Sequence, residues 1–193
     1  MQAPADAESG LLESHRYIGE EPPKQPEQLE PVITESLRRE TTLRAIMQGG
    51  KMEPRYAMRL WVSILKALGQ RHKEGIYPGG LSPEGIFIDA DNNVRFAESQ
   101  PLNPPYQAPD QNRPDTGLVN PSPDIYSMGI ILYEMLTGGR DGLGVGKPSE
   151  AAPDVPSWLD EITLRCVNKD RERRFGSLDE IFAALRELTK KSE

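Results

Sequence analysis

The stretch DIYSMGIILYEMLTGG, Asp124 to Gly139, constrains the fold of this chain more than any other. Its apolar residues fall on nearly every face of a helix, so it has no solvent side to offer. A helix of this kind belongs at the centre of a domain, with other elements covering it all round. Gly138 stands where such a helix ends. No run in the chain reaches the ~18 apolar residues that a membrane-crossing helix needs, so no membrane insertion is expected.

The covering elements can be read on both sides. TTLRAIMQGG (Thr41–Gly50) predicts a short helix closed by glycine. EPRYAMRLWVSILKALGQRH (Glu53–His72) predicts a longer one, with Pro54 in its first turn. Ala57, Leu60, Trp61, Ile64, Leu65 and Leu68 recur at three- and four-residue steps and mark its buried face. GIFID and NVRF, joined by the polar turn ADNN, predict a β-hairpin after the loop YPGGLSPEG. Glu98 to Pro123 is rich in Pro, Asn, Asp and Gln and reads as irregular. Ser157 is placed to cap a helix over WLDEITLRCVNKD. Ser177 and Glu180 have capping-box spacing at the head of SLDEIFAALREL, whose stripe is Ile181, Phe182, Leu185 and Leu188. Trp61 and Phe182 are both expected in the core.

Upstream, RYIGEE (Arg16–Glu21) and EPVITES (Glu30–Ser36) read as two strands around a Pro-rich connection. The resulting organisation is a disordered tail over 1–13, two strands and a hinge over 14–40, a helical domain over 41–189 and a tail over 190–193. The fold class is mainly α, with small β-hairpins around one buried central helix.

The formal net charge of -7 argues against nucleic acid as partner. The single cysteine, Cys166, allows no internal disulfide and points to a reducing, cytoplasmic setting. On the apolar side of its helix it reads as a small core residue. His15 and His72 are the only histidines, too few for a histidine-rich metal site.

The order of these pieces resembles the carboxy-terminal lobe of Hanks-type Ser/Thr protein kinases of the bacterial kind, from about Arg16 to Leu188. LGQRHKEGIYPGGLSPEGIFIDADNNVRFAES is similar to the catalytic-loop region, YQAPD to the A-P-E motif, and DIYSMGIILYEMLTG to the buried central helix. NKDRERRFGSLDEI is similar to the stretch that opens the last helix. The resemblance implies an α+β protein-kinase-like large lobe with only a remnant of the small lobe.

It also implies where the chemistry would be, and there the sequence departs from the family. The family's H-R-D positions are Pro78, Gly79 and Gly80. Its lysine and asparagine positions are Ser82 and Gly85, and its D-F-G position is Glu98-Ser99-Gln100. No glycine-rich loop or phosphate-binding lysine precedes Thr41. The expectation is therefore a pseudokinase, not an enzyme, with no ATP or Mg²⁺ cofactor. Glu98 is the remaining candidate for a metal ligand. The resemblance assigns structural roles to Asp110 and Arg174, as an ion pair at the A-P-E corner, and to Asp124, as acceptor for the backbone N–H groups of Gly79 and Gly80.

The expected function is an interaction, scaffold or regulatory module that binds another protein. Two alternatives stand beside it: a nucleotide sensor or atypical phosphotransferase using Glu98, with Asp89 or Asp91, and one part of a split or self-associating assembly that covers the missing small lobe.

Overall fold

The computed structural model describes residues 40–99, 103–111, 120–139 and 146–190. The chain divides into two compact units, Met1–Ser36 and Leu37–Glu193, and all described residues belong to the second. The strands expected at Arg16–Glu21 and Glu30–Ser36, the tail over 1–13, residues 191–193 and Gln100 lie outside the described residues, while Lys190, expected to open the second tail, is the last residue of a helix.

The first elements are β1 (Thr41–Thr42), α1 (Leu43–Met47) and α2 (Pro54–Lys73). After the loop come β2 (Ile86–Ile88) and β3 (Val94–Phe96), then α3 (Ser122–Thr137), α4 (Pro148–Ala151), α5 (Trp158–Cys166) and α6 (Leu178–Lys190).

Helix α3 is the expected central helix. Every residue from Ser127 to Leu136 is buried. Gly138 closes it in the left-handed region at φ 77°, with its N–H donating to Glu134 O at 2.8 Å. A Cβ there would lie 2.6 Å from Lys51 N, so only glycine fits without a shift. Helix α5 crosses α3 at Gly129, where a Cβ would sit 2.5 Å from Cys166 Cβ and 2.8 Å from Val167 Cγ1. The missing side chain is what lets these two helices touch. Cys166 is wholly buried in this contact, and burial pushes its thiol pKa up, which suits an inert core residue.

Helix α2 lies on α3 through the predicted face, since Ala57, Leu60, Trp61, Ile64, Leu65 and Leu68 are all buried. The Trp61 indole N–H donates to Met128 O at 2.8 Å, which satisfies the one polar atom of a fully buried ring. The Glu53 carboxylate caps the helix by accepting from the N–H groups of Arg55 (3.0 Å) and Tyr56 (2.8 Å).

Several expectations need adjusting. The segment read as one helix from Thr41 starts as a two-residue strand, and Thr42 then caps α1 by accepting from Ala45 N–H at 3.1 Å. That strand pairs antiparallel with the hairpin, giving a three-stranded sheet in the order β1-β2-β3. Ser157 occupies the cap position of α5 but its side chain makes no capping bond. At α6 half of the capping box is made: Ser177 Oγ accepts from Glu180 N–H at 3.3 Å, whereas the Glu180 carboxylate turns to Gly176 N–H at 3.1 Å. Phe182, expected in the core, is only half-buried.

Candidate functional site

The loop Tyr77–Gly85 is where the family resemblance places catalysis. It is not the loose connector that its glycines suggest. Gly80, Leu81, Ser82, Pro83 and Gly85 are all buried, and only Glu84 faces solvent in the second half. Pro83–Gly85 form a 3₁₀ turn, with Gly85 N–H donating to Ser82 O at 3.0 Å.

Gly79 is pinned through both of its backbone groups. Its N–H donates to Asp124 Oδ1 at 2.7 Å, and its carbonyl accepts from the Gln111 side-chain amide. Its φ of 69° is left-handed, the conformation that glycine permits at no steric cost. The other Asp124 oxygen meets His72 Nε2 at 2.9 Å, so this fully buried carboxylate joins the end of α2, the loop and the start of α3. The His72 ring packs against Tyr77, with centroids 4.7 Å apart.

A second anchor closes the corner beside it. Arg174, 3% exposed, donates through Nη2 to one oxygen of Asp110. The pair is not the two-pronged one that a guanidinium and a carboxylate can form. Instead the guanidinium spreads its donors, with Nε to Asn168 O at 2.7 Å and Nη1 to Ser122 Oγ at 2.9 Å. It also lies over the Tyr126 ring, 5.0 Å from the centroid. A charge this deeply buried persists because every face of it is partnered.

A third cluster covers the loop's outer side. Arg44, from α1, donates to Glu84 (2.8 Å) and to Glu134 (2.8 Å), and also to the Tyr106 hydroxyl. Tyr106 in turn donates to Glu134 at 2.5 Å. Partial burial opposes the Arg44 charge, but Glu134 and Glu84 outweigh it and hold the guanidinium pKa above its ordinary value. Burial likewise works to raise the Glu84 carboxyl, yet the Arg44 hydrogen bond brings it out below its usual range. Burial first, and then Glu134, push the Tyr106 phenol up. Arg44, Glu84 and Tyr106 thus stay in their ordinary charge states at neutral pH, and with Glu134 they form a fixed clamp.

The sequence pointed to none of Arg44, Tyr106, Gln111 and Glu134. Glu134 had a signal: it is the one carboxylate inside the run MGIILYEML, and a carboxylate in a buried helix demands a cation. Tyr106 is the lone aromatic within the Pro- and Asn-rich passage, which marks a point where that passage enters the core.

Glu98 is exposed, two residues beyond the end of β3. Ala97 N–H donates to Gly85 O at 2.9 Å, which sets Glu98 beside the position where the family carries asparagine. That pairing offers one carboxylate and no amide, a poor match to a cation that demands six oxygen ligands. Asp89 and Asp91 belong to the hairpin turn, where Asp89 accepts from Asp91 N–H at 2.9 Å. Among the described residues no group of three His, Cys, Asp or Glu is arranged to hold a metal ion, and no helix is long and apolar enough to cross a membrane.

No family model matches the chain. It is 26% identical over 186 residues to the probable serine/threonine-protein kinase PknB of Bifidobacterium longum, a match covering 80% of this chain and 27% of that protein. It is 28% identical to PknB of Mycobacterium leprae (75% of this chain, 28% of that protein). It is 24% identical to PrkC of Bacillus subtilis (80% and 28%). The chain thus spans little more than a quarter of the length of these relatives. Among solved structures, the kinase domain of Mycobacterium tuberculosis PknI superimposes with a TM-score of 0.63 at 19% identity, covering 77% of this chain and 62% of that one. The expectation of a non-enzyme is corrected by the relatives: they carry the names of serine/threonine protein kinases, so the kinship points to an enzymatic family. In sequence the chain has bacterial Hanks-type serine/threonine kinases as homologues, and its fold is protein-kinase-like, mainly helical with a small three-stranded sheet, as in a kinase large lobe.

Proposed function

We propose that this protein-kinase-like domain works as an interaction or regulatory module that holds another protein. The observation that carries the reading is the way the loop is fixed. Asp124 and Gln111 hold Gly79 by its backbone, and Arg44 holds Glu84 from outside. None of these bonds uses the side chains at positions 80, 82 or 85. The loop is therefore held at Gly79 from within and at Glu84 from outside, and a surface fixed in this way limits the ordering cost of binding.

In this reading partner binding needs neither ATP nor Mg²⁺, and the buried free thiol of Cys166 suits a reducing compartment. The test is in-cell cross-linking with the tagged chain, followed by reconstitution of the cross-linked protein with the purified chain. The expected result is a one-to-one complex that forms equally with and without Mg·ATP. Failure of every cross-linked protein to bind the purified chain would end this reading. Transfer of phosphate from ATP onto such a protein would replace it with a catalytic one.

A further inference from the structure

An open apolar groove of about 700 Å³ lies between α2, the start of α5 and α6. Its floor includes Met58, Val62, Trp158 and Phe182, all half-buried side chains that pack inward on the core and leave a carbon surface outward. Along its rim stand Arg55, Arg59 and Lys66 from α2 and Arg186 from α6, all exposed, against one acid, Asp179. None of the four cations lies within ion-pair distance of a carboxylate among the described residues, and the charge partner acting on Arg55 and Arg59 is the Glu53 carboxylate at the head of α2, itself held by the N–H groups of Arg55 and Tyr56. Arg59 lies over the Tyr56 ring at 6.0 Å, and Arg186 Nε donates to Phe182 O at 3.2 Å.

This concentration of positive charge sits on a chain whose formal net charge is -7. We infer that the groove docks an acidic amphipathic helix of a partner protein, with large apolar side chains on the floor and carboxylates against the rim. The inference rests on the proposed interaction role and names the chemistry of the partner. Three features select this occupant. The floor is apolar, which a nucleic acid backbone would not repay. The cations are spread from Arg55 to Lys66, about 16 Å along α2 at the helical rise, so they match several carboxylates in a row and not the single one of a fatty acid. That length is about three turns of helix, enough to seat anchors at i, i+3, i+4 and i+7, which span about two.

Trp158 supplies the readout. The other tryptophan, Trp61, is fully buried, so a change in the accessible indole's emission reports the groove. The probe is a synthetic helical peptide with a leucine stripe flanked by glutamates, compared with the same stripe flanked by lysines. The acidic peptide is expected to shift Trp158 emission to the blue and to bind in fluorescence anisotropy. The lysine peptide is expected not to bind. The double variant Arg55→Glu/Arg59→Glu, on solvent-facing positions, should keep the parent circular dichroism and lose about tenfold or more in affinity.

Equal binding of both peptides, or of both proteins, would overturn the inference. So would a shift produced by oleate and not by the peptide, which would make the groove a lipid site. A shift that appears with protein concentration alone, together with dimer sedimentation, would make the occupant a second copy. Any of these would leave the cross-linking test of the interaction role standing, because a partner can also be held at the loop face.

Discussion

Two loops of this protein are built on the same plan in opposite surroundings. In the loop Tyr77–Gly85 an aspartate, Asp124, accepts a backbone N–H, and one residue, Gly79, sits at φ 69°. In the hairpin turn Asp89–Asn93 an aspartate, Asp89, accepts the N–H groups of Asp91 (2.9 Å) and Asn93 (2.8 Å), and one residue, Asn92, sits at φ 62°. The first aspartate is wholly buried and the second is only half-buried, in a turn open to solvent. The comparison teaches that each loop's shape is written into one carboxylate and one left-handed position. In the buried loop the anchor at Gly79 makes no use of the side chains at 80, 82 and 85, where this chain departs from the kinase pattern. What differs is cost: the buried version has no water to fall back on.

The largest effect should come from the corner that supports the buried loop. Arg174→Ala leaves Asp110 as an uncompensated charge in the interior and strands the carbonyl of Asn168. Breaking a buried pair from one side costs about 3–5 kcal/mol. Urea unfolding should show this as a lower midpoint with unchanged slope. A loss below about 1 kcal/mol, the scale of exposed pairs, would mean that the corner behaves like a surface. Next in size is Asp124→Ala, which strands the Gly79 N–H and the His72 ring and should cost about 1–3 kcal/mol for each buried group left unpaired. Asp124→Asn keeps an acceptor oxygen and should cost less. If the two variants were equal, the hydrogen bond to Gly79 would not be what holds the loop.

Much of this framework was legible in the sequence. The largely apolar run from Ile125 to Leu136 announced the central helix, and the spacing of Ala57 to Leu68 announced the face that packs on it, because burial imposes periodicity directly. The positions Asp110, Asp124 and Arg174 came from the family resemblance. Their actual partners did not: Gln111 on Gly79, His72 on Asp124 and Ser122 on Arg174 join residues 32 to 52 apart in the chain. No local pattern encodes such pairings. The strand at Thr41–Thr42 was missed for the same reason, since two residues carry no alternation and its partner, Phe87–Ile88, is supplied by the distant hairpin. Phe182 was misplaced because helical spacing identifies the apolar side of α6, but not how far neighbouring helices cover it.

The left-handed residues offer a more direct break. A Cβ at Gly79 would meet only ordinary contacts, 3.7 Å to Gln111 Nε2 and 3.9 Å to Tyr77 O, so space is not the obstacle. The obstacle is φ, which costs an L-residue roughly 1–2 kcal/mol. Gly79→Ala should lose about that much, and Gly79→Asn less, because asparagine tolerates this region. In the turn the logic reverses: Asn92→Gly should be near neutral and Asn92→Ala should lose stability. Thermal unfolding of the four variants checks the set. Equal melting temperatures for Gly79→Ala and Gly79→Asn would show that crowding, not backbone conformation, selects glycine in the buried loop.

The smallest effect belongs to the aspartate of the hairpin turn, and pH isolates it. The Asn93 side-chain amide, then the backbone N–H groups of Asn93 and Asp91, hold the Asp89 carboxyl below its usual 3.8. A folded-state pKa below the unfolded one means that the charged form is favoured by folding. The contribution is thus fully present above about pH 4 and is lost as pH falls through the lowered folded value. Asp89→Asn retains an acceptor oxygen but cannot titrate. Its stability should match the parent less closely at pH 7 than at pH 2, and its acid limb should be flatter. The measurement is urea midpoints of both proteins from pH 7 down to pH 2. Parallel curves would mean that the turn keeps its shape without the charge, so that the two loops would differ in their reliance on a carboxylate as well as in burial.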